Sequence, residues 1–157
     1  MEKIDLGKVE QRLKISEGGL KMNFHKYVER VTGQSSFWPF IYQELILCLF
    51  ANLPSALGSV LRASVYGSLL GGIGTSCFIE EGVRLRIPRK IFLGDRVFIG
   101  KNCDLDVEYP DSEIAIADDA HISRDTVVLA GVGKTVIGKN VSIGASSFIY
   151  GSSGLEI

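Results

Sequence analysis

Between Ile73 and Ile157 an aliphatic residue returns at every sixth position, three times over, before the count restarts: Ile73, Ile79, Leu85; Leu93, Ile99, Leu105; Ile116, Ile122, Val128; Ile137, Ile143, Ile149; and Ile157, which opens a fifth set. This period is neither the 3.6-residue repeat of a helix nor the two-residue alternation of a strand that runs straight on. It requires a short strand that bends and begins again.

A second small or apolar residue stands two places before the next aliphatic one: Cys77, Val83, Ile91, Val97, Cys103, Ile114, Ala120, Thr126, Thr135, Val141, Ser147 and Leu155. Residues two apart on a strand share a face, so each pair points inward while its neighbours point out. Gly commonly follows the aliphatic residue, as in Ile73-Gly74, Leu93-Gly94 and Ile137-Gly138, and the bend is expected there. Three strands and three bends close a triangular coil of about eighteen residues, and stacked coils make a mainly β fold, a parallel β-helix or hexapeptide-repeat solenoid. The sets begin at 73, 93, 116, 137 and 157, which gives coils of 20, 23, 21 and 20 residues. The surplus always falls between a third strand and the next first one. Residues 86–92, 106–115, 129–136 and 150–156 are therefore expected along one edge of the prism, where a solenoid gathers its functional loops.

The segments Ile-Gly-Lys-Asn-Val-Ser-Ile-Gly at 137–144 and Leu-Gly-Asp-Arg-Val-Phe-Ile-Gly at 93–100 resemble the signature of the hexapeptide-repeat acyltransferases, whose fold is a left-handed parallel β-helix. Upstream, Leu57-Gly58, Leu61-Arg62, Tyr66, Leu69-Leu70 and Gly74 resemble the lead-in of bacterial polysaccharide O-acetyltransferases of the colanic-acid and O-antigen type. The resemblance covers roughly residues 55–157. It implies a left-handed coil and acetyl-coenzyme A-dependent O-acetyl transfer to a sugar of a bacterial surface polysaccharide or its precursor. It also implies acetyl-coenzyme A lying in the groove between neighbouring β-helices of a trimer. Sugar, amino-acid and nucleotide-sugar acyltransferases share the repeat, as do carbonic anhydrases, so it speaks for fold more than for chemistry.

Ahead of the repeat the chain divides at 36 and 72. Residues 1–36 are polar, with short helices expected at Val9–Leu13 and Phe24–Val31 and a break at Gly18-Gly19. From Phe37 to Leu53 the chain is apolar, interrupted by Gln43 and Glu44, and shorter than the roughly twenty residues of a membrane span. Pro54 ends this helix, and Ser55 is expected to cap a second one from Ala56 to about Leu70 with Leu57, Val60, Leu61, Val65 and Leu69 along one side. Residues 37–72 thus form an apolar helical lead-in with three roles open: a cap on the first coil, a helical contact in a homo-oligomer, or peripheral membrane contact through residues 37–53. Trp38 and Tyr42 favour the membrane role, and the lack of basic residues in that stretch weakens it.

A hydrophobic fraction of 46% with 22% charged residues supports one ordered domain, and a formal net charge of −1 without basic runs gives nucleic acid nothing to hold. Met1-Glu2-Lys3-Ile4-Asp5 contains no apolar signal segment, so the cytoplasm, or the inner face of the membrane, is the expected location. Cys48, Cys77 and Cys103 are all expected as small core residues, and no Cys-x-x-Cys pair offers a metal site.

Acyl transfer to a hydroxyl needs a general base and donors for the oxyanion. In the resembling family the base is a histidine on a corner loop, just after a third strand, where this chain has Ala130-Gly131 and Gly151-Ser152. The polysaccharide subgroup commonly carries it one coil further on, so the β-helix is expected to be incomplete at Ile157, and the catalytic and cofactor-binding residues stay unassigned. His121, between Ala120 and Ile122, takes an outward strand position that suits an exposed or interface residue, with Asp118 and Asp119 near it; His25 has no catalytic partner. Acceptor binding falls to Asp106, Glu108, Tyr109 and Asp111, three carboxylates and an aromatic ring on the longest corner loop, with a solvated acidic turn as the plainer alternative. Asp106 resembles an aspartate that such acetyltransferases carry near the acceptor sugar. Gly131-Val132-Gly133-Lys134-Thr135 is not a phosphate loop, because Val128 stands where the pattern needs glycine. A β-helical carbonic anhydrase needs three histidines and the chain has 2. The non-enzymatic alternative is a β-helical module that only oligomerises.

Overall fold

The computed structural model describes residues 24–157. Helix α1 covers residues 24–32, where a helix is expected, while the expected helix at Val9–Leu13 lies outside the described residues. Helices α2 (Phe37–Phe50) and α3 (Ser55–Tyr66) follow. The strands then fall into three parallel sheets. One is β1 (Gly72–Ile73), β4 (Ile91–Leu93), β7 (Glu113–Ile116), β10 (Lys134–Ile137) and β13 (Leu155–Glu156). The second holds β2 (Phe78–Ile79), β5 (Phe98–Ile99), β8 (His121–Ile122) and β11 (Ser142–Ile143). The third holds β3 (Arg84–Arg86), β6 (Asp104–Val107), β9 (Val127–Ala130) and β12 (Phe148–Gly151).

Ile73 pairs with Leu93, Leu93 with Ile116 and Ile116 with Ile137. Ile79, Ile99, Ile122 and Ile143 stack in the same way, as do Leu85, Leu105, Val128 and Ile149. These offsets are the coil lengths read from the spacing, so the molecule is a parallel β-helix of about four turns, its sheets fitting the left-handed form, behind an N-terminal helical segment. All the lengthened corners lie between the third sheet and the first, on one edge.

The bends are built differently from expectation. The left-handed residue lies three places after the aliphatic one, at Ser76, Arg96, Asn102, Asp119, Asp125, Asn140 and Ser146, with φ between 54° and 61°. The glycine directly after the aliphatic residue answers to space instead: a Cβ on Gly94 would lie 2.8 Å from the Asp118 nitrogen of the next coil.

Helix α3 departs further. It ends at Tyr66, whose carbonyl accepts from the amides of both Leu69 and Leu70 at 2.9 Å, and Pro54 rather than Ser55 holds the N-cap position. Its buried side is Gly58, Ser59, Arg62 and Tyr66, while Leu57, 70% exposed, Val60 and Leu61 face solvent. Two contacts reverse the helix. A Cβ on Gly58 would sit 2.3 Å from the Leu53 carbonyl oxygen, so this side alone can approach the preceding link. Arg62, wholly buried, donates from Nε to the Ile79 carbonyl at 2.8 Å and from Nη1 to the carbonyls of Phe50 at 3.0 Å and Leu53 at 2.6 Å. It thereby adds a donor to the last carbonyl of α2, which otherwise takes only a long bond of 3.3 Å from the Leu53 amide, satisfies the Leu53 carbonyl in the link, and ties both to the first coil. Tyr66, Leu69 and Leu70 join the aliphatic core of the coils from this end. Cys48 is also a correction: it is exposed on α2, between Leu45 and Leu49, whereas Cys77 and Cys103 are buried as expected.

Candidate functional site

The third-sheet edge begins with pairs one coil apart. Arg84 on β3 meets Asp104 on β6 at 2.8 Å, and Arg86 meets Asp106 at 3.0 Å through Nη1 and Oδ2. Asp106 is 7% exposed, and its Oδ1 is buried with no hydrogen-bond partner among the described residues. Burial raises its carboxyl above the usual range, Arg86 opposes that, and Asp104 and Glu108 add to it.

Two clefts flank α1 at this edge. The smaller, about 330 Å³, is lined by Lys26, Glu29 and Arg30 of α1, by Ile87, and by Glu108, Tyr109 and Pro110 of the long loop. The loop is fixed at both ends: the Glu108 amide donates to the Ala130 carbonyl at 2.9 Å, and the Ser112 hydroxyl donates to the Gly131 carbonyl. On the other side of α1, a cleft of about 510 Å³ runs between α2 and β3, lined among others by Tyr27, Gln43, Glu44, Arg84, Arg86 and Asp104. Gln43 is 3% exposed there and its Nε2 has no partner among the described residues. Asp106 lines neither cleft, but its neighbours do: Arg86 borders the larger and Glu108 the smaller. Asp111 stands apart, exposed at the loop's far end. Of the four acceptor candidates, the structure therefore brings Glu108 and Tyr109 into one cleft, buries Asp106 against Arg86 outside both clefts and leaves Asp111 exposed at the loop's far end.

His121 on β8 is exposed and lies flat on Phe98, ring centroids 4.5 Å apart at an interplanar angle of 2°. The neighbouring aspartates are engaged elsewhere: Arg96 holds Asp119 at 2.6 and 2.7 Å, and Lys139 holds Asp118 at 2.8 Å. Each cation pulls its partner carboxyl below the usual range. His25 is exposed on α1. Among the described residues no group of three or more His, Cys, Asp or Glu is placed to hold a metal ion. The cysteine thiols at 77 and 103 are pushed up by burial and lie within 3.1 Å of the carbonyls of Gly94 and Ser123, which suits packing rather than nucleophilic attack.

Sequence reasoning missed Lys26, Arg30, Gln43 and Arg86. The last was within reach, because Arg84-x-Arg86 and Asp104-x-Asp106 stand one coil length apart. The others depend on how α1 and α2 lie over the solenoid, which no spacing announces. Comparison with protein families, with curated proteins and with solved structures finds no match to this chain.

Proposed function

We propose that the chain acts as an acetyl-coenzyme A-dependent O-acetyltransferase on a sugar of a bacterial surface polysaccharide or its precursor, assembled as a homotrimer in the cytoplasm. The observation that carries this reading is the cleft in which Glu108 and Tyr109 of the long corner loop face Lys26 and Arg30 of α1. A sugar suits such a place: its hydroxyls donate to carboxylates, its ring carbons lie on an aromatic face, and Lys26 and Arg30 suit a phosphate carried by a precursor. The repeat and its lead-in segment supply the acyl-transfer part of the reading, by resemblance. Asp118 and Asp119 are held by Lys139 and Arg96 and His121 lies on Phe98, so among the described residues His121 is not arranged as the base that takes the acceptor proton.

Calorimetric titration with acetyl-coenzyme A, followed by thiol release in the presence of nucleotide-linked and lipid-linked sugars, tests the reading. Carrier binding is expected, with Glu108→Gln raising the acceptor KM roughly tenfold and His121→Ala leaving turnover unchanged. The engaged state of Asp118 and Asp119 favours a second reading, a β-helical module that oligomerises without catalysis. Self-association without any binding of acetyl-coenzyme A selects it.

A further inference from the structure

We propose that the outer face of the α2–α3 pair seats the protein on an anionic lipid surface. From Phe37 to Tyr66 the chain carries two charged side chains, Glu44, half-buried against the larger cleft, and Arg62, wholly buried. The outward positions are Trp38, Ile41, Leu45 and Leu49 on α2, continued by Leu57 and Leu61 on α3, with Trp38 78% exposed. The other side of α2 is already occupied, with Phe40, Gln43 and Ile46 buried. A contiguous uncharged apolar face of this extent marks an interaction surface.

Shape and charge assign it to lipid. These six side chains stand out from the helices, while Val60 and Tyr42 beside them border recesses, Val60 one of about 460 Å³ against the first coil. Fluid acyl chains close around protrusions and fill recesses alike. Trp38 and Tyr42 join an apolar ring to a polar edge, the combination that collects at the membrane–water boundary. A cation stands at the rim: Arg89, exposed, borders the same small cavity as Tyr42. Anionic headgroups complement that rim. Among the described residues no helix is long and apolar enough to cross a membrane, so the contact lies in the plane of the surface.

Trp38 is the single tryptophan of the chain, so its emission reports this face directly. The full chain is titrated with vesicles of equimolar phosphatidylcholine and phosphatidylglycerol and then floated on a density gradient. A blue shift of the emission, quenching by brominated acyl chains and co-flotation are expected, with weaker binding to phosphatidylcholine alone. Leu45→Glu combined with Leu49→Glu, both at exposed positions, should lower the partition coefficient roughly a hundredfold while the circular dichroism and melting temperature stay unchanged. Unshifted emission with the protein left in the lipid-free fraction would overturn the proposal, as would equal affinity for the two kinds of vesicle. So would blue emission without vesicles that disappears, together with a dimer, in the double variant; that outcome gives the face to a second copy of the chain.

Discussion

Thr126 and Thr135 occupy equivalent inward positions, and only one hydroxyl is satisfied. Thr126 donates to the Gly144 carbonyl at 3.0 Å, whereas the buried Oγ1 of Thr135 has no partner among the described residues. Valine has nearly the same shape, so the two substitutions should act in opposite directions: Thr135→Val is expected to add about 1 kcal/mol of stability and Thr126→Val to remove about as much. Denaturant midpoints of the two variants decide it, and a shift of the same sign in both would refute the difference. Tyr66 adds a pH dependence. Burial pushes its phenol from 10.0 up to about 12, against the pull of Arg62, and its hydroxyl has no partner. The folded state thus favours the neutral phenol. Its contribution is full below pH 10 and is lost as the pH rises toward about 12. Tyr66→Phe should therefore cost little at neutral pH and flatten that alkaline loss, as followed by denaturation at a series of pH values.

Among the elements, the junction of α2, α3 and the first coil rests on Arg62. Arg62→Met removes one cation and strips donors from three carbonyls together, an expected loss of about 3–5 kcal/mol, with Arg62→Lys recovering part of it because an ammonium lacks the planar fork. Thermal unfolding of the two variants checks the ranking. Within the solenoid, ion pairs join residues one coil apart: Glu81 with Lys101, Arg96 with Asp119, Glu113 with Lys134 and Asp118 with Lys139. Each is exposed enough to contribute little, under about 1 kcal/mol, and the register rests on the inward aliphatic pairs instead. Coil lengths were legible because inward pairs recur whatever happens at the corners. The orientation of α3 was not. Leu57, Val60 and Leu61 form a helical stripe that ordinarily marks the packed side, and the carbonyls that draw Arg62 inward belong to residues 9 to 17 places away. The acidic loop at 106–111 could be read from the chain, but the cations facing it come from α1, whose place over the edge is a tertiary result.

Taken whole, the molecule is a stack in which each coil meets only its neighbours and the helices. Amides of β5 through β9, with a strand on either side, are expected to exchange hydrogen most slowly, and those of β11, β12 and β13, each with one neighbour, fastest among the strands. Hydrogen-exchange mass spectrometry reads that gradient; uniform protection would mean that the stack unfolds as one unit. The three corners are not alike in what they permit. At two of them a left-handed residue recurs at a fixed place, and bonds such as Thr75 to Asp95 and Asn102 to Asp125 bridge one coil to the next. The third accommodates coils of 20, 23, 21 and 20 residues without disturbing the strands on either side. A foreign peptide spliced between Tyr109 and Pro110 should accordingly leave the pitch of the stack unaltered, since closing a longer loop costs little, and the chimaera should melt as sharply as its parent. The same splice at Lys101-Asn102 should not: the protein has one edge on which it can carry cargo.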